Sequence, residues 1–139
     1  MLIDSNILVY SLNISSPKCL AARKFLNTLA GRFYVAPQNV LETIRIVSHP
    51  KFPHPVSPLA AVDTLTNIIN AGQLITPIYE TLSIALELIK KHKLCGARVF
   101  DAYLAATMIS HGILEIATDN EKDFRIFKQV KVINPFSIN

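Results

Sequence analysis

Short apolar runs alternate with longer helix-forming segments throughout this 139-residue chain. The runs cover residues 1–3, 32–36, 74–77, 115–118 and 130–133. Each run is too short for a helix and is typical of a buried strand. Strands that alternate with helices form βαβ units, which have parallel strands and helices on both faces of the sheet. We therefore predict an α/β fold with a small, mainly parallel central sheet, built as one domain over residues 1–139.

One predicted helix, residues 99–109, is an apolar segment with a single carboxylate near its start. Its small and apolar residues at helical spacing are Ala102, Ala105, Ala106 and Ile109. Asp101 lies in the first turn, where the helix dipole favours a negative charge. A carboxylate at the mouth of a buried helix costs free energy unless a cation or a hydrogen-bond donor meets it. Asp101 is therefore a candidate functional residue.

Three further acids have similar apolar neighbours. Asp4 and Asp119 each follow a predicted strand, and Glu42 lies near the start of a helix. Because open α/β sheets bind ligands at the carboxyl ends of their strands, we expect all four acids, including Asp101, to converge at one edge. Structural roles remain open for two of them, since Asp4 also suits a helix N-cap and Glu42 can pair with Arg45.

Four carboxylates in one pocket repel one another and need a cation in order to stay ionised together. A site with oxygen donors and no Cys or His ligands favours Mg²⁺ or Mn²⁺. Such ions bind phosphate oxygens and activate water. The net charge of +4 and the pI near 9.2 favour an anionic partner such as nucleic acid. Together these features suit metal-dependent cleavage of nucleic acid.

The predicted helix of residues 80–92 is amphipathic and ends in a basic run. Its inward-facing residues are expected to be Leu82, Ala85, Leu86 and Ile89. The densest basic patch of the chain follows them, at Lys90, Lys91, His92 and Lys93. We predict that Lys91, Lys93 and Arg98 bind the nucleic acid, although a basic run also suits a solvated helix end.

A proline-rich loop, residues 49–58, separates two predicted helices. Four of the eight prolines of the chain fall in this loop, which excludes a helix or a central strand there. Its His49, Lys51 and His54 are further exposed candidates for contacting phosphates.

The two cysteines, Cys19 and Cys95, are far apart in sequence. Their spacing fits no metal site, so we expect two small buried thiols and a reducing compartment. The chain has no secretory leader pattern and no apolar run of membrane-spanning length. We therefore predict a soluble, cytoplasmic protein.

Four segments, in this order and at these intervals, resemble the PIN domains of VapC-type toxins. They are residues 2–10, 39–45, 100–106 and 117–124. The resemblance implies a PIN-like three-layer α/β/α sandwich and an Mg²⁺- or Mn²⁺-dependent endoribonuclease that acts on RNA. It also implies the toxin of a type II toxin–antitoxin pair, homodimeric and inhibited by a cognate VapB-type antitoxin.

The resemblance also assigns roles to individual residues. The three regular acidic positions of the family fall on Asp4, Glu42 and Asp101, which we predict to be catalytic, with the two aspartates as metal ligands. Asn6 matches the small polar residue near the first Asp, and Arg45 matches a frequent basic neighbour of the Glu. Ser5 departs from the family, in which Thr is common at this position.

The fourth acidic position is ambiguous. The family often reads Thr-x-Asp, which begins here at Thr118 and places Asn120 where the acid would stand. Asp119 comes one residue early, and Asp123 precedes a phenylalanine. We take Asp119 as the fourth catalytic acid and third metal ligand, and hold Asp123 as the second choice, with Thr118 and Asn120 in supporting roles.

Two other functions are weighed against the ribonuclease. One is a catalytically weak PIN-like domain that binds RNA or acts as a scaffold. The other is a phosphatase-like hydrolase with Asp4 as a covalent nucleophile. Many such enzymes have a second Asp two residues later, and Asn6 in that place counts against this alternative.

Overall fold

The computed structural model describes residues 1–137, so the last two residues of the predicted domain lie outside the described residues. Its five strands are β1 (Leu2–Ile3), β2 (Tyr34–Val35), β3 (Gln73–Leu74), β4 (Glu115–Ala117) and β5 (Lys131–Ile133). Its seven helices are α1 (Ser5–Leu12), α2 (Cys19–Leu29), α3 (Pro37–Val47), α4 (Pro58–Ala71), α5 (Thr81–His92), α6 (Arg98–Ser110) and α7 (Glu121–Phe124). Within these residues, no helix combines the length and apolar character that crossing a bilayer requires.

The five strands form one sheet in the order β3-β2-β1-β4-β5, and every neighbouring pair is parallel. Strand β1 is therefore central, with Leu2 paired to Tyr34 on one side and to Ile116 on the other. The backbone N–H of Asp4 still donates to the carbonyl of Ala117 at 3.0 Å, just beyond the end of β1. The carboxyl ends of β1 and β4 thus lie side by side, as the predicted parallel sheet requires.

Successive residues of the strands face two separate hydrophobic cores. Leu2 and Ile116 are fully buried in a core with residues of α5, α6 and α7. Ile3 and Ala117 are fully buried in a second core with residues of α1, α2, α3 and α4. Because side chains alternate across a strand, successive residues of β1, β2 and β4 face opposite cores, whereas both residues of the edge strand β3 are exposed. The prediction of a three-layer α/β/α sandwich is confirmed.

Helix α6 is buried as its sequence predicts, whereas its neighbour α5 departs from the prediction. Ala102, Ala105 and Ala106 are completely inaccessible to solvent. In α5, the prediction that Leu82 and Leu86 face inward is wrong, because their side chains are 60% and 57% exposed. Ala85 faces the interior as predicted, together with Thr81, so the apolar side chains of Leu82 and Leu86 remain in solvent. Cys19 is buried as predicted, whereas Cys95, just after α5, is exposed, so the prediction of a buried thiol there is wrong.

The segment after β4 also differs from the prediction of an acidic loop. Residues 121–124 form a short helix, α7, anchored by the buried ring of Phe124. The turn of this helix determines which acidic side chains lie near the ends of β1 and β4.

Candidate active site

The carboxylate of Asp4 is held at the end of the central strand by hydrogen bonds from Ser5, Asn6 and Thr118. Its Oδ1 accepts from the backbone N–H of Ser5 at 2.8 Å, which caps α1. Its Oδ2 accepts from the amide of Asn6 at 2.8 Å and from the hydroxyl of Thr118 at 2.7 Å. The hydroxyl of Ser5 lies 3.4 Å from Oδ1 as a longer, fourth contact, and Asp4 still lines the cleft described below. The helix-cap role and a role in a site are therefore compatible.

Burial controls the protonation of Asp4. The side chain is buried beneath α1, and burial raises its pKa to about 6. The hydrogen bonds from Thr118 and from the N–H of Ser5 act in the opposite direction, and the charge of Glu42 raises the pKa further. The ionised form is thus costly, and a nearby positive charge would stabilise it.

Glu42 extends toward Asp4 from α3. The hydroxyl of Ser5 donates to its Oε2 at 2.9 Å, and the guanidinium of Arg45 lies 3.6 Å from its Oε1. The start of α3 is fixed by Asn39, whose side chain accepts from the backbone N–H of Ala36 at 3.3 Å. The exposed ion pair adds little to stability, so the Ser5 contact is the one that orients Glu42.

Asp101 lies in the first turn of α6, on the other side of Asp4. Burial raises its pKa to about 6, and the negative charges of Asp123, Asp4 and Glu42 raise it further. The positive charge of Arg98 acts in the opposite direction. Four acids are therefore close enough to influence one another at this edge of the sheet.

A cleft of about 290 Å³ joins these groups. Its lining includes the carboxylates of Asp4, Glu42 and Asp101, together with Ser5, Asn6, Tyr10, Asn120 and Phe124. The structure thus brings three of the four predicted catalytic acids into one cleft, and it places the supporting residues Asn6 and Asn120 on the same wall.

Asp119 does not line this cleft. Its Oδ2 accepts from the ammonium of Lys18 at 2.5 Å and from the hydroxyl of Tyr10 at 2.8 Å. Burial alone would raise the pKa of Asp119, but these two hydrogen bonds outweigh it and lower that pKa. Burial and the contact with Asp119 raise the pKa of Tyr10 to about 12. The backbone N–H of Asp119 donates to Asn6 Oδ1 at 3.3 Å. Asp119 therefore helps to hold Asn6, which lines the cleft, in position.

Asp123 and Asn120 lie closer to the other acids. Asn120 contacts the carboxylate of Asp123 through its side-chain amide, and Arg98 Nε lies 3.8 Å from Asp123 Oδ1. The backbone N–H of Asn120 donates to Thr118 Oγ1 at 3.0 Å. Asp123 does not line the cleft either. Its charge nevertheless raises the pKa of Asp101, so Asp123 interacts with the acids of the cleft and is the alternative candidate for the fourth acid.

Sequence reasoning missed the roles of Tyr10, Lys18 and Ser5. Tyr10 is the last residue of the first segment that resembles PIN domains, residues 2–10. The sequence therefore indicated that Tyr10 lies near the site but did not indicate its contact. Lys18 carries no local signal, because its partner Asp119 is 101 residues away along the chain. Ser5 was noted as a departure from the family, and its hydroxyl nevertheless contacts Glu42.

The predicted RNA-binding residues are spread over two regions. Lys91 lines a separate cleft of about 270 Å³ with His92, Phe127 and Lys128. Lys93 ends α5 in a left-handed conformation and is exposed. Arg98 instead lies beside the acids, through its contact with Asp123.

The donors around the cleft fit a hard divalent cation in their chemistry. They are oxygen atoms of Asp4, Glu42 and Asp101. Burial first and neighbouring negative charge second raise the pKa values of the two aspartates, and a bound cation would offset both effects. Over residues 1–137, however, no group of three His, Cys, Asp or Glu side chains is arranged so that it could hold a metal ion. The donor types therefore match Mg²⁺ or Mn²⁺, but the side chains do not form a complete coordination shell.

Comparisons with known proteins show which family the chain belongs to. Residues 1–131 match the family model of the PIN domain, and the chain therefore belongs to the PIN-domain family. It is 31% identical over 139 residues to ribonuclease VapC24 of Mycobacterium tuberculosis, which covers 97% of this chain and 96% of that protein.

Solved structures share the fold at lower identity. A toxin–antitoxin complex from Klebsiella pneumoniae contains a chain with a TM-score of 0.69 and 20% identity, over 99% of this chain and 98% of that one. VapC20 of Mycobacterium tuberculosis, a toxin that cleaves the sarcin–ricin loop, has a TM-score of 0.70 and 15% identity, over 93% of this chain and 97% of that one. The PIN-like VapC-type fold expected from the four segments is confirmed.

Proposed function

We propose that this chain is an Mg²⁺- or Mn²⁺-dependent endoribonuclease and the toxin of a type II toxin–antitoxin pair. One observation carries the proposal: Asp4, Glu42 and Asp101 line a single cleft in a PIN-domain chain that is 31% identical to a ribonuclease. Convergent carboxylates are the groups that metal-assisted cleavage of a phosphodiester requires.

The residues of the cleft divide into two roles. Asp4 and Asp101 would hold the cation, since both have raised pKa values and face the same space. When bound, such an ion supplies an activated water and neutralises the charge that develops on the leaving oxygen. Glu42, held by Ser5 at Oε2, would accept a proton at its other carboxylate oxygen. Asn6 and Thr118 keep Asp4 in position through its Oδ2.

For the fourth acid, the contacts favour Asp123 over Asp119. Asp123 influences the protonation of Asp101, whereas Asp119 is engaged by Lys18 and Tyr10. Lys18 and Tyr10 both contact Oδ2 of Asp119, and the amide of Asn134 lies 3.4 Å from its Oδ1, so both carboxylate oxygens already have partners. We therefore propose that Asp119 positions the cleft and that Asp123 completes the acidic site.

The proposed partners are an RNA substrate, a VapB-type antitoxin and a second copy of the chain. The structural neighbour from Klebsiella pneumoniae is a toxin–antitoxin complex, which supports an antitoxin partner. The exposed Leu82 and Leu86 of α5 support a homodimer, because apolar patches of this kind often lie in interfaces. The family match over residues 1–131 supports a single domain. We propose the cytoplasm as its location, because its proposed RNA substrate is found there.

A catalytically weak RNA-binding or scaffold domain is the second candidate. It is favoured by one observation, the lack of a metal-ready group of acidic, His or Cys side chains over residues 1–137. Such a protein would bind RNA without metal-dependent cleavage.

Cleavage of a mixed pool of single-stranded and looped RNA separates the two functions. We expect products with Mg²⁺ or Mn²⁺ and none with EDTA. The changes Asp4→Ala and Asp101→Ala should abolish cleavage while sparing RNA binding, since the acids repel phosphate when no metal is bound. Asp63→Ala, which removes an exposed carboxylate of α4, is the matched control and should cleave normally. Cleavage that survives both EDTA and the double change would contradict the proposal.

A further inference from the structure

Two grooves adjoin the acidic cleft and share lining residues with it. A groove of about 440 Å³ contains Glu42 and Asp101 of the cleft, together with the exposed side chains of Leu41 and Phe100. A second groove, of about 250 Å³, shares Ile46 with the cleft. The three spaces therefore form one continuous surface along α3.

The two grooves differ in chemistry. The first is apolar at its rim, where the side chains of Leu41 and Phe100 are 67% and 62% exposed. Phe100 directly precedes Asp101, so an exposed aromatic ring stands next to a carboxylate of the cleft. The second groove is basic, since Arg45, His49 and Lys51 line it beside Phe52.

We propose that these grooves are the track of an unpaired RNA strand, with a base stacked on Phe100 and neighbouring phosphates on Arg45, His49 and Lys51. This inference rests on the proposed ribonuclease function and names its substrate class. If the scissile phosphate lies at the acids, the adjoining nucleotides must occupy the adjoining grooves.

The distribution of charged residues supports this position for the RNA strand. The cleft itself is acidic and repels phosphate, so the attraction for the strand has to come from its borders. Arg45 is 72% exposed and spans both grooves. The N–H of Lys51 donates to His49 Nδ1 at 3.1 Å, which fixes the basic turn that follows α3. Because Nδ1 of His49 accepts this bond, its ring can donate only from Nε2, and the positive charge beside the cleft comes from Arg45 and Lys51.

The occupant is an unpaired strand because a base stacks on an aromatic side chain only when its face is free. Stacking of this kind tolerates any base, whereas the basic groups contact only the backbone. The surface therefore favours single-stranded segments and loops without selecting a sequence by itself.

The test measures binding of fluorescent RNA to the full-length chain at low salt in EDTA, where no cleavage occurs. The probes are a short single-stranded oligonucleotide and the same ribose-phosphate strand without bases. We expect Phe100→Ala to weaken binding of the first probe by about tenfold and to leave the second unchanged. Lys51→Ala should weaken both and reduce the salt dependence by about one phosphate contact.

Two exposed residues away from the grooves provide matched controls. Tyr79→Ala removes an aromatic ring that is 96% exposed, and Lys24→Ala removes a charge from α2. Both variants should bind as the wild type does. Lys91→Ala tests the competing track through the other basic patch.

The outcomes separate the possibilities. Unchanged binding by Phe100→Ala and Lys51→Ala, or a loss confined to Lys91→Ala, would overturn the proposed track, and the grooves would then belong to a protein partner. No RNA binding by the wild type would overturn it as well. Because binding is measured without metal, a protein that binds through these grooves but never cleaves would refute the ribonuclease and leave the track standing.

Discussion

The hydroxyl of Thr118 donates to Asp4 Oδ2 at 2.7 Å and joins two residues that are 114 positions apart in the chain. Thr118 follows β4 and Asp4 follows β1, so the contact exists because these two strands are neighbours in the sheet. The same hydroxyl accepts from the amide of Asn6 at 2.9 Å. A single buried side chain therefore fixes both the carboxylate and its principal amide donor.

Replacing this hydroxyl tests its effect on Asp4. We expect Thr118→Val to cost about 1–3 kcal/mol in the free energy of unfolding, since buried polar groups lose their partner. In the wild type, the hydrogen bond from Thr118 lowers the pKa of Asp4. Its loss should therefore raise that pKa and move the acidic limb of the cleavage profile to higher pH. Urea unfolding and a pH–rate profile measure both effects. Thr118→Ser retains the hydroxyl and should leave the pH profile unchanged, although losing a buried methyl group should still cost about 1 kcal/mol of stability.

Asp101→Asn is expected to leave the metal-free protein as stable or slightly more stable at neutral pH. Folding raises the pKa of Asp101 from 3.8 to about 6, so its contribution to stability is present below pH 4 and is lost as the pH rises through about 6. The stability of Asp101→Asn should therefore fall less than that of the wild type as the pH rises from about 4 to about 6. Added Mg²⁺ or Mn²⁺ should raise the melting temperature of the wild type alone.

Thermal melts with and without metal at several pH values make this comparison. A large loss of stability in metal-free Asp101→Asn would contradict the prediction. It would show that Asp101 serves α6 as a structural residue of its first turn.

The two candidates for the fourth acid should respond differently to amide substitution. Asp119→Asn removes the negative partner of Lys18 and should lower stability by about 1 kcal/mol while most of the cleavage rate remains. Asp123→Asn should lower the cleavage rate at least about tenfold with little change in stability. Unfolding curves and initial rates, measured on the same preparations, decide the assignment. The reverse pattern would restore Asp119 as the fourth acid.

The exposed leucines of α5 give a test of the proposed dimer. Leu82→Glu and Leu86→Glu should convert the protein to a monomer, because a charge in an apolar interface is costly to desolvate. Light scattering at micromolar concentration measures the mass. Leu59→Glu, on the equally exposed surface of α4, should leave the mass unchanged. A wild-type monomer under these conditions would contradict the dimer.

The alternation of short apolar runs with helical periodicity was enough to predict the layered α/β fold and the buried face of α6. These features are local, because the spacing of apolar residues indicates which face of a strand or helix is buried. The positions of Asp4, Glu42 and Asp101 at element ends also predicted their approach to one edge, because parallel strands share that edge. The spacing of apolar residues determines less closely how a helix is rotated about its axis. For this reason Leu82 and Leu86 were predicted to face inward although they are exposed.

The tertiary structure alone decided the partners of individual side chains. Asp119 and Asp123 are both acids beside the end of β4, and their sequence context does not distinguish them. The packing of α2 brings Lys18 to Asp119, and the turn of α7 places Asp123 near Asp101. Sequence spacing determines which residues are buried, whereas the order of strands and the docking of distant helices determine which charged groups meet.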